Sequence, residues 1–143
     1  MPPFSWPVRV YWEDTDAGGI VYYANYLKFM ERARTEWLRS VGIEQRPLQQ
    51  EHGVMFVVVE AETQFRRPAR YGDLLRVSCA IDKSSGASMT FKQEIVRDSD
   101  DASADAELLV TGRVRVACLD AARLRPRPLP ELLMKELSIA GDG

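Results

Sequence analysis

The chain has 143 residues, of which 45% are hydrophobic and 28% are charged, and its formal net charge at pH 7 is −2. A chain of this length and composition can bury a core and fold as one domain, which disfavours intrinsic disorder. The weak negative charge disfavours binding to nucleic acids in general. One histidine and two cysteines fall short of the four Cys or His ligands that structural zinc sites use, which disfavours such a site.

The N-terminus and the hydropathy pattern predict a cytoplasmic protein without an integral membrane segment. The first eight residues, MPPFSWPV, have neither the basic start nor the apolar run of a signal peptide. No segment approaches the roughly 18 apolar residues that a membrane-spanning helix requires. Cys79 and Cys118 lie in apolar alternating runs, so we expect buried free thiols, with a disulfide between them as the alternative.

The first elements in chain order are a short strand, a loop and one long helix. Alternating β-forming residues predict a strand over residues 8–12. The acidic, glycine-rich segment EDTDAGG at residues 13–19 predicts a loop. Over residues 21–41, apolar side chains recur at a spacing of three and four, which predicts an amphipathic helix of about five turns that ends at Gly42.

The rest of the chain is rich in strands. Four strand-like segments separated by turn residues follow the helix, at residues 54–65, 74–81, 88–96 and 107–119. Consecutive strands with short turns favour an antiparallel sheet, and the apolar face of the helix must pack against it. A short last helix over residues 131–139 and a frayed end complete the chain. We therefore predict one α+β domain over residues 1–143, in which an antiparallel sheet of about five strands wraps around one long central helix.

Common signatures of nucleophilic or metal catalysis are absent from the sequence, which contains no GxSxG, CxxC or HExxH motif. The single histidine, His52, lies in a polar stretch at residues 49–53 and is expected in a surface loop. A Ser-His-Asp or Cys-His mechanism would have to use this histidine, and nothing in its surroundings favours that role.

The densest chemical signal is the loop at residues 13–19 together with the start of the helix. In the simplest interpretation, its acids only stabilise the N-terminus of the helix. The alternative is a site for acyl transfer. Helix N–H groups would stabilise an oxyanion, a carboxylate would act as base or nucleophile, and the glycines would admit the substrate. A thioester suits such a site because its thiolate leaves with little help from an acid.

Three segments of this region carry a resemblance to a known family. RVYWEDTDAGGIVY at residues 9–22, ANYL at 24–27 and ERAR at 31–34 resemble the hot-dog-fold acyl-CoA thioesterases. The most similar group is the Tol-Pal-associated (YbgC-type) branch of the 4-hydroxybenzoyl-CoA thioesterase family. Turns and the C-terminal end match as well, at residues 68–73, 83–86, 119–120 and 127–130. The resemblance implies the hot-dog fold and hydrolysis of an acyl-CoA thioester to a free acid and coenzyme A, without a metal or redox cofactor.

The resemblance also assigns roles to residues. The catalytic aspartate falls on Asp16, as general base on water or as nucleophile, and the N–H group that polarises the thioester carbonyl falls on Tyr23, in the first turn of the helix. Gly19 and Ile20 would shape the wall of the pocket, and Asp14 would be a loop or capping residue. Members of the YbgC-type group commonly carry a histidine where this chain has Tyr23, so a catalytic role here requires that the backbone N–H does the work.

Other charged residues have two interpretations each. Glu31 could serve as the acid instead of Asp16, as in some hot-dog thioesterases, but an ion pair with Arg34 is the simpler interpretation. The basic residues are a candidate clamp for the phosphates of coenzyme A or else a solvated rim. The clamp would consist of Lys83, Arg125 and Arg127, and the arginines of residues 66–70 form a second basic cluster.

The resemblance further implies that two subunits pair edge to edge into one continuous sheet, with the sites at their interface. A homodimer or homotetramer is therefore expected. Two other classes of function remain open. One is a hot-dog hydratase or dehydratase, which would need His52. The other is a non-catalytic protein that binds acyl carrier protein or an envelope-maintenance complex. The length of the acyl group and the nature of its carrier do not follow from the sequence.

Overall fold

The computed structural model of the chain describes residues 4–98 and 106–141. In chain order, the elements are β1 (Ser5–Arg9), a 3-10 helix (Trp12–Asp14), α1 (Asn25–Ser40), α2 (Gln45–His52), β2 (Val54–Phe65), β3 (Leu74–Ser78), β4 (Ala80–Ser85), β5 (Ser88–Arg97), β6 (Glu107–Asp120) and α3 (Glu131–Gly141).

The six strands form one antiparallel sheet. Its order is β1-β3-β5-β6-β2, and β4 also pairs with β5. Strands β2 and β6 pair over most of their length, from Val54 opposite Asp120 to Phe65 opposite Val110. Among the described strands, β2 has a partner on one side only, so it forms an edge of the sheet.

Helix α1 packs its apolar face onto this sheet. Phe29 and Met30 are fully buried, and the Trp37 ring contacts Phe91 of β5 edge to face, with centroids 5.5 Å apart. Gly112 of β6 lies where the helix approaches most closely, because a Cβ at this position would lie 2.7 Å from Met30 Cε. The apolar residues of the helix face are large, and burial of each contributes about 1.5–3 kcal/mol.

A buried polar group ties the helix to the sheet. Gln93 of β5 donates through Nε2 to the carbonyls of Met30 (3.0 Å) and Ser78 (3.3 Å), and its Oε1 accepts from Arg34 Nη1 (3.0 Å). Burial lowers the pKa of Arg34 and raises the pKa of the Cys79 thiol to about 12. Because buried polar groups are costly when unpaired, these bonds hold α1 in one position on the sheet.

Three boundaries differ from those predicted by the sequence pattern. Strand β1 covers Ser5–Arg9 instead of residues 8–12, because the chain turns into the 3-10 helix at Trp12. The strand expected over residues 74–81 is divided at Cys79, which makes six strands instead of about five. At this point the hydroxyl of Ser78, instead of a backbone carbonyl, accepts the hydrogen bond from the Glu94 N–H of the neighbouring strand (2.9 Å).

Helix α1 begins at Asn25 and has 16 residues, so it starts later than the predicted helix. Val21, the expected start, is held in extended pairing instead. It forms a bridge with Thr15, and its N–H donates to the carbonyl of Ala69 (2.9 Å). A residue bound in this way to two neighbouring segments cannot take part in the helix.

Helix α2 contains most of the polar stretch at residues 49–53, for which the sequence predicts a surface loop. Its apolar residues are only Pro47 and Leu48, which are too few to show the periodicity from which a helix is predicted. The helix ends at Gly53 with φ of 65°, the left-handed conformation that glycine adopts at helix ends. His52 is therefore the exposed last residue of a helix, and not a loop residue.

Cys79 and Cys118 are both free and buried, as predicted. The last helix extends to Gly141, two residues beyond its predicted end. The rest of the expected frayed end, residues 142–143, and most of the aspartate-rich loop at 98–105 lie outside the described residues. None of the helices in the described part of the chain is long and apolar enough to cross a membrane.

Candidate active site

The loop that carries Asp16 is a tight hairpin between the 3-10 helix and α1. Thr15 and Val21 pair in an antiparallel bridge at its base. The Asp16 N–H donates to the Ile20 carbonyl (2.9 Å), and the Gly19 N–H donates to the Asp16 carbonyl (3.0 Å). Gly19 has φ of 80°, a conformation that glycine adopts without steric cost. The hairpin thus fixes the backbone of Asp16 through both its N–H group and its carbonyl group.

The carboxylate of Asp16 lies exposed on this hairpin. Its Oδ1 accepts a hydrogen bond from the Gly18 N–H at 2.8 Å, and a Cβ at position 18 would lie 3.2 Å from the same oxygen. No described residue donates a hydrogen bond to Oδ2 of Asp16. A carboxylate with one oxygen positioned and the other free is suited to act as a base or as a nucleophile.

The backbone N–H of Tyr23 lies in the turn that leads into α1. The sequence places it in the first turn of the helix, but the N-cap is Ala24, so Tyr23 precedes the helix. The N–H groups of Asn25 and Tyr26 are occupied, since they donate to the carbonyls of Tyr22 (2.8 Å) and Tyr23 (3.3 Å). The Ala24 N–H, like that of Tyr23, has no acceptor among the described residues. Within residues 4–98 and 106–141, no group accepts a hydrogen bond from the Tyr23 N–H. It is thus a free donor close to the positive end of a helix.

Asp14 joins the hairpin to the start of the helix. Its Oδ2 accepts from the Tyr11 N–H (2.8 Å) at the start of the 3-10 helix. The long helix α1, in contrast, has no side-chain cap and no acid in its first turn. The carbonyl of Asp14 accepts from the Tyr22 N–H (2.9 Å) and from Asn25 Nδ2 (2.9 Å). Asn25 is a positioning residue that the sequence analysis missed. Its only signal was an asparagine near a helix start, which is a frequent position for a side chain that binds the backbone.

Aromatic side chains cluster around the Tyr23 ring. The Tyr23 ring contacts those of Tyr22 and Phe65, with centroids 5.0 and 6.1 Å apart, and all three are exposed. Tyr26 lies under them, 5.7 Å from Phe65, and burial raises the pKa of its hydroxyl. Phe65 is the last residue of β2 and was not predicted as a site residue. An acyl group bound at the Tyr23 N–H would meet an apolar surface on this side.

The turn between β2 and β3 lies against the other side of the hairpin. Ile20 forms an antiparallel bridge with Arg70, and the Val21 N–H donates to the Ala69 carbonyl. Asp73 closes this turn, because its Oδ2 accepts from the Arg70 N–H at 2.8 Å. Ile20, predicted as a pocket wall, is therefore half-buried between the hairpin and this turn.

Arg125 and Arg127 lie far from Asp16 of the same chain. The Arg125 carbonyl accepts from the Asp120 N–H (2.8 Å), and Arg127 Nη1 donates to the Asp120 carboxylate (3.2 Å). Asp120 is opposite Val54, at the first residue of β2, whereas Tyr23 contacts the last residue. The two ends of this strand are roughly 35 Å apart at the usual rise of a β-strand. The structure therefore does not bring these arginines to the hairpin of the same chain.

Lys83 lies on β4, opposite Thr90 of β5. With Arg113 and Arg115 it lines a polar groove of about 510 Å³ across the sheet. This groove contains acids as well, and Arg115 is 3.5 Å from the carboxylate of Glu60. The groove shares no lining residue with the hairpin, so Lys83 and Asp16 of the same chain are not part of one site.

Glu31, the alternative acid, is exposed on α1. It accepts a hydrogen bond from Thr35 Oγ1 (2.9 Å). The expected ion pair with Arg34 is not formed, because Arg34 points into the core and donates to Gln93 instead. Glu31 and Arg34 still share the lining of a small cavity of about 120 Å³ between α1 and the sheet.

His52 does not belong to the hairpin site. His52 lines a separate groove of about 740 Å³ between α2 and residues 127–132. In the part of the chain that the structure describes, no group of three or more His, Cys, Asp or Glu side chains is arranged to hold a metal ion.

Comparisons with known proteins bear on this site. The family model for the thioesterase-like superfamily matches residues 10–137. An Escherichia coli O157:H7 protein named acyl-CoA thioester hydrolase YbgC is 44% identical over 133 residues, which are 93% of this chain and 94% of that protein. A Haemophilus influenzae protein named acyl-CoA thioesterase YbgC is 41% identical over 128 residues, 90% and 89% of the two chains. Among solved structures, a 1,4-dihydroxy-2-naphthoyl-CoA thioesterase from Synechocystis is similar, with a TM-score of 0.84, 25% identity and 96% of both chains covered.

Proposed function

The chain belongs to the thioesterase-like superfamily and is a thioester hydrolase, and from this premise we propose that the Asp16 hairpin hydrolyses an acyl-CoA. The resemblance of residues 9–34 to YbgC-type thioesterases is confirmed by relatives 44% and 41% identical to this chain. The six-stranded antiparallel sheet is the hot-dog fold of these enzymes. The observation that carries the proposed mechanism is the free N–H of Tyr23 at one end of a loop whose other end holds the carboxylate of Asp16.

In the proposed reaction, the Tyr23 N–H binds the thioester carbonyl oxygen and stabilises the negative charge that develops on it. Asp16 either takes a proton from the attacking water or attacks the carbonyl carbon itself, in which case water cleaves the resulting anhydride. Both routes break the C–S bond and release the acid and the thiol of coenzyme A. The thiolate leaves readily, because its conjugate acid has a pKa of about 8.5. The side chain of Tyr23 has no part in these steps, so a tyrosine serves where YbgC-type members commonly have a histidine.

The position of His52 favours hydrolysis over hydration or dehydration. A hot-dog hydratase would need a histidine at its site, and the histidine of this chain is exposed at the end of α2, away from the Asp16 hairpin. Gly19 and Ile20 support the hydrolase as proposed, since both belong to the hairpin that positions Asp16.

The proposed active unit is a homodimer formed by β2, which two such dimers would extend to a homotetramer. Two neighbouring apolar side chains of this edge strand, Val58 and Val59, are 50% and 46% exposed. A long exposed edge of this kind is a template for pairing with another strand.

Pairing about a twofold axis would also complete the site. Two antiparallel β2 strands place the Val54 end of one copy beside the Phe65 end of the other. Arg125 and Arg127 of the second copy would then approach the Tyr23 side of the first, where they could bind phosphates of coenzyme A. Arg125 and Arg127, which lie far from the hairpin of their own chain, would thus bind coenzyme A at the hairpin of the other chain. The location proposed for this assembly is the cytoplasm, where free thiols such as Cys79 persist.

The test is thiol release from short, long and aromatic acyl-CoAs, and from the same acyl groups on acyl carrier protein, by the native chain and by Asp16→Asn. We expect a clear native rate that falls by about 10²-fold or more in the variant, the usual contribution of a general base. Glu13→Gln, which changes an exposed acid next to the hairpin, is the matched control and should retain activity.

Two results would contradict the proposal in different ways. If the native chain released no thiol from any substrate, the activity itself would be wrong, and binding to a carrier protein would become the better hypothesis. If Asp16→Asn were as active as the native chain, the assignment of the base would be wrong, and Glu31→Gln would be the next variant.

A further inference from the structure

One ion pair next to the turn between β2 and β3 has no role in the reaction proposed above. Asp73 ends this turn, which covers residues 68–73, and Arg97 is the last residue of β5. Arg97 Nη1 donates to Asp73 Oδ2 at 2.7 Å, and the two side chains are only 23% and 21% exposed. Nη2 of the same guanidinium donates to Glu107 Oε2 of β6 at 2.6 Å. Because charge-assisted hydrogen bonds fix the guanidinium on both sides, the Asp73 carboxylate has one defined position.

The Asp73 carboxylate closes the turn of residues 68–73. Its Oδ2 accepts from the Arg70 N–H (2.8 Å), and the Asp73 N–H donates to the Arg70 carbonyl (3.1 Å). Arg97 Nη1 also donates to the Pro68 carbonyl at 3.4 Å, so one nitrogen contacts both ends of the turn. The turn is therefore fixed by an ion pair as well as by its own backbone.

This turn supports the hairpin that carries Asp16. Arg70 and Ile20 pair in an antiparallel bridge, and the Ile20 carbonyl accepts from the Asp16 N–H (2.9 Å). Residues 16–19 are exposed, so buried side chains do not hold this part of the hairpin. Its position depends instead on the hydrogen bonds at its base, and the Asp73 carboxylate fixes the segment to which they attach.

Ala69, in the same turn, connects the hairpin to helix α1. Its carbonyl accepts from the Val21 N–H (2.9 Å), and its N–H donates to the hydroxyl of the buried Tyr26 (3.0 Å). Tyr26 lies in the first turn of α1, three residues after Tyr23. The turn thus contacts both the hairpin and the start of the helix, and it sets the distance between the two proposed catalytic groups.

We propose that Asp73, held by Arg97, is a positioning residue of the thioesterase reaction. It fixes the turn, and through the bridge between Arg70 and Ile20 it fixes the hairpin that carries Asp16. A shift of about 1 Å in a reacting group can cost about 10²-fold in rate, so an exposed carboxylate depends on such support. This inference rests on the proposed function, and Asp73 acts on the hairpin and not on the substrate.

The first test is the rate of thiol release by Asp73→Ala. We expect kcat to fall by about tenfold, because the hairpin loses its support, and KM to stay within about twofold, because no group that binds the substrate is removed. Asp73→Asn should recover part of the loss, since its amide oxygen can still accept from the Arg70 N–H. It also carries the test if Asp73→Ala does not fold.

Asp98→Ala is the matched control for this variant. Asp98 is 25% exposed and is paired with Arg76 of β3 at 2.7 Å, so the control removes a similar ion pair from the same sheet. It should leave kcat at the native value. An equal fall of kcat in both variants would overturn the proposal, because any lost ion pair of this sheet would then have the same effect.

A second test asks whether Asp73 acts through Asp16. In a chain that already carries Asp16→Asn, no carboxylate remains to be positioned, so Asp73→Ala should lower the residual rate by about twofold at most. A general weakening of the fold would lower the rate by the same factor with and without Asp16. An equal loss in the two backgrounds would therefore overturn the proposal.

Amide hydrogen exchange measured by NMR gives a readout that does not depend on activity. The N–H groups of Asp16 and Val21 are both hydrogen-bonded in the native chain, at 2.9 Å. In Asp73→Ala they should exchange about tenfold faster, whereas the central amides of β5 and β6 should keep their native rates. Unchanged exchange at both positions would overturn the proposal.

Failure of this proposal is distinguishable from failure of the proposed function. If Asp16→Asn is inactive while Asp73→Ala keeps the native kcat, only the positioning role is refuted. If the native chain releases no thiol but Asp73→Ala speeds exchange at Asp16 and Val21, the proposed function is refuted and the support of the hairpin by Asp73 is confirmed.

Discussion

A single hydrogen bond, from the Gly18 N–H to Asp16 Oδ1 at 2.8 Å, positions the proposed catalytic carboxylate. A Cβ at position 18 would lie 3.2 Å from that oxygen, so a side chain there would displace the carboxylate by a few tenths of an ångström. At the scale of one residue, the glycine pair of the hairpin thus has two separate tasks. Gly18 leaves room for the carboxylate, and Gly19 supplies the left-handed turn at φ of 80°.

We therefore expect Gly18→Ala to lower kcat by about tenfold or more, since a small misplacement of a reacting group is costly. The free energy of unfolding should change little, because the displaced atom is an exposed side-chain oxygen. Gly86→Ala is the control, at a distant turn with φ of 48°, and it should lower stability without lowering kcat. A native kcat in Gly18→Ala would show that this hydrogen bond does not matter for the reaction.

Cys79, also at the scale of one residue, makes the stability of the fold depend on pH. Burial raises the pKa of its thiol from 9.0 to about 12. A folded pKa above the unfolded one means that the stability due to this group is complete below about pH 9 and is lost as the pH rises toward 12. We expect Cys79→Ala to flatten the decline of unfolding free energy between pH 9 and 10.5, measured in urea. If the unfolding free energy of the variant declined as steeply, the decline would be due to other titrating groups and not to Cys79.

At the scale of elements, the close packing of α1 against the sheet depends on Gly112 of β6. A Cβ at this position would lie 2.7 Å from Cε and 3.0 Å from Sδ of the buried Met30. We expect Gly112→Ala to destabilise the fold by about 1–3 kcal/mol, the usual cost of overpacking a core. The double variant Gly112→Ala/Met30→Ala should be less destabilised than the sum of its two single variants, because the smaller side chain at position 30 removes the clash. Urea unfolding of the two single variants and the double variant measures the coupling, and strictly additive effects would contradict the contact.

The elements that the sequence predicted well are those with a periodic apolar pattern. Strands β2, β5 and β6 were predicted to within a residue or two because alternation is a property of the local sequence. Helix α2 was missed because Pro47 and Leu48 are its only apolar residues, so it has no periodic pattern. The division between β3 and β4 was missed because it depends on a hydrogen bond from Glu94 to Ser78, two residues far apart in the chain.

At the scale of the whole molecule, β2 is the surface on which the proposed dimer depends. We expect the native chain to have at least twice its monomer mass of 16.2 kDa in light scattering. Val59→Lys should shift it toward the monomer and reduce thioesterase activity, because a charged side chain on an edge strand opposes pairing.

The matched control for this variant is Met134→Lys, which places the same charge at an exposed apolar residue of α3 and should leave the mass unchanged. A native chain that is monomeric and fully active would contradict the dimer. In that case Arg125 and Arg127 could not reach the hairpin, and their role in binding coenzyme A would be excluded with it.

The sequence by itself determined the family, the antiparallel sheet and the position of the acidic hairpin before α1, because motifs and periodicity are written in neighbouring residues. Only the tertiary structure decided which groups are free to act. It left the Tyr23 N–H without an acceptor among the described residues, turned Arg34 into the core away from Glu31, and separated Arg125 from Asp16 by the length of β2. Each of these outcomes depends on which distant segments meet in space, and that contact is a property of the folded chain, not of any local stretch of sequence.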